Sequence, residues 1–449
     1  MASTIGDRPN VLFLCSDQHQ ASAAGCYGST EVHTPNIDRI AESGVRFDRA
    51  YCQSPVCVPS RGSIITGVYP HSHGARILQD PLPEDAYTIA HHFQEQGYQT
   101  AAIGKMHFGD ESQRHGFEYR LHGDEFRDTL TDQEWRAFRK DQSSADSVMG
   151  KASELSARYF QDTYYSDETV RFLREERDTD RPFCLWSSFF MPHTPLVPLK
   201  EFFDLYDPAK LNLPERTDHE LEDGFEGHLT RAKQRGWYAQ TDDELRPSLA
   251  GYYGNTSQMD DNLGKVLDTL FELGLEKNTI IVYTSDHGEM AGAHRMWTKH
   301  NMYEESVRVP LIVGLPGGID AGSSRDALIE HVDLFPTLAE LCGLPDPEAL
   351  HGRSFAPLLL NESYESREFA YSEYYFCHSV FTRDDRYVGK PPILMVRTDR
   401  WKLNYLSWER SELFDVANDL GEFQNVIDDP GNSGIVKELT AIAERCYAL

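Results

Sequence analysis

Cys57 and Arg61 lie four residues apart in the segment of the chain best suited to chemistry. Pro59 suits the first turn of a helix and Gly67 its end, so the sequence predicts a helix with Cys57 at its N-terminus. Backbone N–H groups and the helix dipole favour anions there, and Arg61 shares the face of Cys57 one turn along. The segment suggests a site for a tetrahedral oxyanion, although a lone loop cysteine is more often a small buried side chain.

Two apolar runs, NVLFLCS and TIIVYTS, predict buried parallel strands. Asp17 and Gln18 follow the first run, and Asp286 and His287 follow the second. Because the carboxyl ends of parallel strands meet at one edge of a sheet, these side chains should converge. Converging carboxylates repel one another and lose hydration, which a divalent cation offsets. Hard oxygen atoms suit Ca²⁺, Mg²⁺ or Mn²⁺ better than zinc, although either aspartate alone is better explained as a cap or turn residue.

Four further candidates are Lys105, His107, His193 and Lys299. Lys105 and His107 are two residues apart after a predicted strand, so in an extended chain they project to one side. Prolines on both sides of His193 hold it on a rigid loop after another predicted strand. Each of these side chains alone would be interpreted as solvated or structural. For Lys299, the flanking Trp297 and the short distance along the chain from Asp286 and His287 favour a function.

The elements that must position these groups are strands and helices in alternation. A short helix opens the stretch 35–50 and is ended by Gly44, and a long helix is predicted over Ser248–Leu273. Near the C-terminus the pattern changes to short strands and a helix, at Glu368–Tyr375, Ile393–Thr398, Trp401–Tyr405 and Ser433–Cys446.

This pattern predicts an α/β fold with a large mixed, mostly parallel sheet flanked by helices, plus a small C-terminal antiparallel sheet with a helix. We predict a catalytic domain over residues 1–364, with insertions at about 110–160 and 200–247. A small C-terminal α+β subdomain is predicted over 365–449.

The charge of the chain limits its partners. Its 449 residues include 43 Lys and Arg against 72 Asp and Glu, a formal net charge of −29. Such a charge argues against binding to nucleic acid or to an anionic membrane surface. An anionic substrate would therefore need local cations or a metal to overcome the overall field.

The cysteines and the apolar runs bear on location. The eight cysteines show no C-x-x-C pair and no framework spacing, so they imply neither zinc nor disulfides. The N-terminal MASTIGDRPN has no apolar signal core, and no run reaches the roughly 18 apolar residues of a spanning helix. We predict a soluble, cytoplasmic protein.

The segment CVPSRGSIITG, from Cys57 to Gly67, resembles the signature of the type I sulfatases of the alkaline phosphatase superfamily. In that family the signature cysteine is oxidised to formylglycine, and the hydrated aldehyde, a geminal diol, is the nucleophile. Other segments are also similar to the family: PNIDRIAESGVRF, GKMHFG, MPHTP, RTDRWKLNY and ELFDVANDLGE. The resemblance covers nearly the whole chain and is weakest at 110–160 and 200–247.

The resemblance implies an alkaline phosphatase-like fold and one divalent ion, Ca²⁺ before Mn²⁺ or Mg²⁺. Its ligands would be Asp17, Gln18, Asp286, His287 and the formylglycine from Cys57. The more usual family set is Asp-Asp with Asp-Asn, and the Gln/His pair is more similar to the choline sulfatase and phosphonate monoester hydrolase branches. A formylglycine-generating enzyme would be a partner during maturation.

The resemblance also implies roles in the hydrolysis of a small anionic ester. Arg61, Lys105 and Lys299 would place positive charge around the sulfate. His193, with Lys299, would protonate the departing alkoxide, and His107 would accept the proton of the second diol hydroxyl as sulfate leaves. Sulfate monoester hydrolysis, catalysed by a sulfuric ester hydrolase, is the predicted function.

Three alternatives remain open. The same scaffold could hydrolyse phosphonate monoesters or phosphodiesters, as the Gln18 and His287 departures suggest. A non-catalytic metal- or anion-binding protein would keep Cys57 unconverted. A two-metal phosphatase would need a second ligand set, which is not found at motif strength.

Family members often carry a polar residue such as Asn near position 78, where this chain has Leu78 followed by Gln79. The first insertion could serve as a homo-oligomer interface.

Overall fold

The computed structural model describes residues 8–143, 148–217, 220–316, 320–376 and 385–449. Two predictions concern residues outside these ranges. The prediction on a leader segment concerns residues 1–7, and the prediction on the cysteines includes Cys377. Within the described ranges, no helix is both long enough and apolar enough to cross a bilayer.

The described part of the chain contains two β-sheets. Their strands are β1 (Asn10–Asp17), β2 (Val45–Tyr51), β3 (Gln99–Gly104), β4 (Tyr119–Leu121), β5 (Phe183–Pro192), β6 (Thr279–Ser285), β7 (Arg308–Gly314), β8 (Ser323–Glu330), β9 (Ala370–Tyr374), β10 (Ile393–Arg397), β11 (Trp401–Tyr405) and β12 (Glu412–Asp415). The large sheet has the order β4-β3-β5-β1-β6-β7-β2-β8. Strand β7 runs antiparallel to both of its neighbours, and every other pair in this sheet is parallel. The sheet is therefore mixed and mostly parallel, as predicted.

Helices cover both faces of this sheet. The helices of the described residues are α1 (Pro35–Ser43), α2 (Cys57–Thr66), α3 (Pro70–His73), α4 (Ile89–Glu95), α5 (Gly123–Asp128), α6 (Asp132–Asp141), α7 (Gln161–Arg171), α8 (Lys200–Phe203), α9 (Glu226–Gln234), α10 (Asp242–Glu272), α11 (Glu304–Val307), α12 (Leu334–Leu341), α13 (Ala356–Leu359) and α14 (Ser433–Tyr447).

Strand β1 shows how the core is divided. Val11, Phe13 and Cys15 point to the face covered by α2, α4 and α12, whereas Leu12 and Leu14 point to the face covered by α1, α7 and α10. Alternate residues of a strand face opposite sides of its sheet, so a continuous apolar run is what a strand buried on both faces requires. Strand β1 is thereby fixed in the middle of the sheet, between β5 and β6.

The small sheet has the order β12-β11-β10-β9 and is antiparallel throughout. Helix α14 packs on it through Leu439, Ala443 and Cys446, which share an apolar cluster with Val396 and Leu403. The predicted fold class is confirmed in both parts. The boundary between residues 364 and 365 stays a prediction.

Several element boundaries differ from the predictions. Helix α10 begins at Asp242 rather than at Ser248, because Thr241 forms a capping box with Glu244 ahead of Pro247. Strand β5 continues through Pro192, beyond its predicted end. Strands β2 and β8 were not predicted. The first five residues of β8 are half-buried or exposed, as suits a strand at the edge of the sheet.

Candidate active site

Four of the predicted site residues converge at the carboxyl ends of β1 and β6. One ligand atom from each of Asp17, Cys57, Asp286 and His287 lies within 4.8 Å of the others, and all four side chains are buried. The convergence follows from strand register, because Ser16 at the end of β1 pairs with Ser285 at the end of β6. Among the described residues, this is the one such group of three or more His, Cys, Asp and Glu side chains.

Cys57 is the first residue of α2, as predicted, and is only 2% exposed. Its Sγ lies 3.2 Å from His287 Nε2 and 3.9 Å from Asp17 Oδ1. Burial and the carboxylate of Asp17 raise the pKa of the Cys57 thiol. The ammonium groups of Lys299 and Lys105 outweigh both effects, so the pKa lies well below the usual value of a thiol.

Arg61 lies under the cluster and is fully buried. Its Nε is 2.7 Å from Asp286 Oδ2, and its Nη2 is 3.5 Å from Asp17 Oδ2. A further hydrogen bond of 2.9 Å runs from Nη1 to the Oγ of Ser188, a residue within β5. Arg61 thus offsets the charge of the two carboxylates. Its predicted role around the sulfate stays a prediction.

Two lysines approach the cluster from other directions. Lys105 forms an ion pair with Asp17 through Nζ, and the Nζ of Lys299 donates a hydrogen bond to Gln18 Oε1. Burial alone would raise the pKa of Asp17, but the surrounding positive charges, of which Lys105 is the strongest, together lower it more, so the pKa lies well below its usual value. Asp17 therefore stays ionised.

Glu289 is a site residue that the sequence did not reveal. Its fully buried carboxylate accepts hydrogen bonds from Gln18 Nε2 and from the backbone N–H groups of Ala291 and Thr298. Burial raises its pKa above the usual value. Glu289 fixes which end of the Gln18 amide is the oxygen end. The sequence did offer one indication of its role, because Glu289 is an acidic residue that directly follows Asp-His-Gly.

His193 lies on the loop after β5, as predicted. Its Nδ1 is 2.6 Å from the carbonyl oxygen of Thr194. Asn255 Nδ2 donates to the carbonyl of Pro195 at 3.0 Å, which fastens the loop to α10. Burial, followed by the charge of Lys299, lowers the pKa of His193 well below its usual value, so the free imidazole is neutral.

The positions of His107, Leu78 and Gln79 are also defined. His107 is half-buried, and its Nδ1 is buried without a hydrogen-bond partner. Leu78 and Gln79 both line a small cavity beside Val56, the residue that precedes α2. Both therefore lie near the N-terminus of that helix.

The donor set fits a hard divalent cation. Two carboxylates and an imidazole converge in a buried place beside Cys57. The backbone N–H of Gln18 donates to Asp286 Oδ1 at 3.1 Å, so Gln18 also borders the site. Oxygen-rich sites of this kind suit Ca²⁺, Mg²⁺ or Mn²⁺.

The mixed, mostly parallel sheet, with this donor set at the carboxyl ends of its central strands, defines an α/β protein with a candidate site for a divalent ion. Comparison with known proteins gives the family. The sulfatase family profile matches residues 9–344, and the profile described as "N-sulphoglucosamine sulphohydrolase, C-terminal" matches residues 292–447. The chain belongs to the sulfatase family.

Individual relatives agree with this assignment. A choline-sulfatase of Rhizobium meliloti is 30% identical, over 98% of this chain and 86% of its own length. An N-acetylglucosamine-6-O-sulfatase of Bacteroides thetaiotaomicron is 30% identical, over 97% of this chain and 86% of its own. The crystal structure of the phosphonate monoester hydrolase of Agrobacterium radiobacter superposes with a TM-score of 0.87. The superposition covers 98% of this chain and 96% of the hydrolase chain, at 24% sequence identity. It shows that the two proteins share a fold.

The predicted family and the predicted enzyme class, a sulfuric ester hydrolase, are thus confirmed. The family implies a metal ion and a formylglycine in general. The identity of the ion and the role of each side chain stay predictions.

Proposed function

We propose that this sulfatase hydrolyses the sulfate monoester of a small alcohol, using one divalent ion, with Ca²⁺ as the first candidate, and a formylglycine made from Cys57. The observation that carries the proposal is the convergence of Asp17, Asp286 and His287 with Cys57 in one buried cluster. These three residues and Gln18 would hold the ion. When bound, the ion would polarise the substrate oxygens, and the formylglycine would supply the nucleophile.

The lysines bind and orient the anionic ester. Lys105 and Lys299 are held in place by Asp17 and Gln18, so their charge is already positioned when substrate arrives. Preorganised charge in a buried site stabilises a developing anion more strongly than mobile charge in water does. Arg61 contributes indirectly, by neutralising the carboxylates beneath the site.

His193 protonates the leaving alcohol. Because the Thr194 carbonyl can only accept, His193 Nδ1 carries the proton and Nε2 of the neutral ring has a free lone pair. The negative charge of a bound ester favours protonation at Nε2, from which the proton passes to the departing oxygen. The unpartnered Nδ1 of His107 suits a group that accepts a proton as sulfate leaves.

The proposal includes a converting enzyme as the partner of the newly made chain. We expect the tryptic peptide that contains Cys57, from protein co-produced with a formylglycine-generating enzyme, to be lighter by two hydrogens and one sulfur-for-oxygen exchange. An unchanged mass would favour the alternative of a non-catalytic metal- or anion-binding protein.

The main catalytic alternative is a phosphonate monoester or phosphodiester hydrolase. Its support is the Gln18 and His287 pair together with the similar fold of a phosphonate monoester hydrolase. Initial rates on phenyl sulfate and on a phenyl phosphonate monoester separate the two functions. A preference of about tenfold or more for the phosphonate would contradict sulfate as the main substrate.

The metal is tested by dialysis against EDTA and readdition of single ions. We expect hydrolysis to disappear and to return best with Ca²⁺, and a better return with Mn²⁺ or Mg²⁺ would revise the ion. Cytoplasmic location and a homo-oligomeric state stay predictions.

A further inference from the structure

A pocket of about 140 Å³ lies beside His193. Helix α6 and the residue after it form one wall, the start of α7 a second, and the end of β5 with the following loop a third. The lining residues are Phe138, Gln142, Phe160, Gln161, Asp162, Phe190, Met191, His193 and Pro195.

The inner end of the pocket borders the active site. Lys105 Nζ, which pairs with Asp17, lies 4.8 Å from the centre of the Phe190 ring. The rings of Phe190 and His193 are 5.0 Å apart. A substrate whose sulfate lies at Lys105 would therefore have its leaving oxygen near His193 and the rest of its leaving group next to the pocket.

The lining of the pocket is mainly apolar, and the Asp162 carboxylate and the Gln142 amide nitrogen already have partners. Asp162 accepts backbone hydrogen bonds from Phe190 at 2.6 Å and from Met191 at 2.8 Å, one on each oxygen. Gln142 Nε2 donates to the Val197 carbonyl at 3.3 Å. A sugar with several hydroxyls would lose water there without gaining matching hydrogen bonds, which costs binding free energy.

The size of the pocket and the charge beside it further limit the groups that it can bind. Apolar cavities of about 150 Å³ bind a single benzene ring, so 140 Å³ suits one ring. Lys105 already lies over Phe190, and its charge opposes a second cation against that ring. The pocket is thus suited to an uncharged apolar ring.

We propose that this pocket binds the leaving group of the substrate, and that the leaving group is an uncharged, single-ring alcohol such as a phenol or a cycloalkanol. The inference rests on the proposed sulfatase function and names the substrate class of that site. It also gives a role to the insertion at 110–160, which supplies Phe138 on α6.

Substrate choice tests the proposal directly. We expect kcat/KM for cyclohexyl sulfate, whose alkyl leaving group has no intrinsic advantage, to exceed that for glucose 6-sulfate and choline sulfate by about tenfold or more. Phenol, added as the free product, should inhibit competitively, whereas glucose at the same concentration should not. A higher kcat/KM for the sugar or the choline ester would overturn the inference.

Variants of Phe138 test the pocket itself. Phe138→Ala should lower kcat/KM for phenyl sulfate about tenfold, because a ring contact is lost, and leave that for methyl sulfate within about twofold. Phe138→Leu, which keeps an apolar contact and guards against a folding defect, should recover most of the loss. Phe271→Ala removes a partly exposed phenylalanine from the end of α10 and is the matched control. An equal loss on both esters in Phe138→Ala would overturn the inference.

The two proposals fail in different ways. Fast hydrolysis of glucose 6-sulfate with slow hydrolysis of phenyl sulfate would contradict the pocket and leave the sulfatase function standing. Hydrolysis of phenyl phosphonate without any sulfate ester would contradict the proposed function. The Phe138 series, repeated on phenyl and methyl phosphonate esters, would then still decide what the pocket binds.

Discussion

At the scale of single residues, we expect the metal site to depend on Glu289, whose carboxylate accepts a hydrogen bond from one predicted ligand, Gln18. Glu289→Gln replaces an acceptor by an amide that can donate to Gln18 Oε1, so the Gln18 amide can turn its nitrogen toward the site. We expect affinity for the activating ion, measured by calorimetric titration of metal-free protein, to fall by about 10- to 100-fold.

Glu272→Gln is the control for this prediction. Glu272 is exposed at the end of α10 and pairs only with Arg174 among the described residues. Its replacement should leave the ion affinity unchanged. Equal affinities of Glu289→Gln and the parent protein would show that the amide of Gln18 needs no external orientation.

Arg61 gives a prediction about stability. Arg61→Met leaves Asp17 and Asp286 buried without their guanidinium partner, so the free energy of unfolding in EDTA should fall by about 3–5 kcal/mol. Urea denaturation measures this loss, which a bound divalent ion should reduce. Arg39→Met breaks the solvent-exposed pair with Asp268 and should cost at most about 1 kcal/mol. Similar losses of unfolding free energy in Arg61→Met and Arg39→Met would contradict the role of Arg61 as the buried partner of the two carboxylates.

Residue identities could be predicted in part. Asp17 and Asp286 were recognisable as a pair because both follow apolar strands that end alike, and Cys57 because its segment resembles the sulfatase signature. Glu289 was not recognisable, since its partners are a side chain 271 positions away and backbone groups of an irregular loop. Contacts of that kind depend on how the loop folds.

At the scale of elements, His73 ties α3 to the helix that carries Cys57. Its Nε2 is 3.2 Å from the Pro59 carbonyl, and its Nδ1 accepts a hydrogen bond from the Ala75 N–H at 3.1 Å. Burial lowers the pKa of His73 to about 3. The ring is therefore neutral when folded, and protonation of the unfolded chain destabilises the protein as pH falls below about 6.5.

His73→Gln removes this titration. Because the unfolded state binds the extra proton, stability is present at neutral pH and is lost as pH falls from about 6.5 toward 3. The drop in unfolding free energy between pH 7.5 and pH 5.5 should be smaller by about 1.4 kcal/mol in the variant than in the parent. His33→Gln, at an exposed position, should leave that drop unchanged. If this drop in unfolding free energy is the same in His73→Gln as in the parent protein, the buried His73 is not its source.

Elements were predictable where their pattern was local. β1 and β6 stand out as apolar runs because both of their faces are covered, and β11 has the predicted bounds. β8 lies at the sheet edge with a half-polar pattern, so its sequence is not distinct from that of a loop. The early start of α10 depends on a capping box that overrides the helix-breaking tendency of Pro247.

At the scale of the whole molecule, the net charge of −29 repels an anionic ester at long range, whereas the site lysines act only at short range. Salt shortens the Debye length from about 30 Å at 0.01 M to about 8 Å at 0.15 M. We expect kcat/KM for phenyl sulfate to rise by at least about twofold over that range of NaCl. Sucrose at matched osmolality controls for solvent effects. A decrease with salt would mean that the local cations dominate the approach.

The distance along the chain between the two halves of the cluster has a consequence for biosynthesis. At about 5–20 residues per second, the roughly 230 residues between Cys57 and the end of β6 take about 10 to 45 s to be synthesised. Until β6 has joined β1, His287 and Asp286 are not there to cover the thiol. If Cys57 is converted as proposed, the ribosome therefore sets an interval in which the converting enzyme could reach it, and a faster translation rate would leave more chains with an unmodified thiol buried inside the fold.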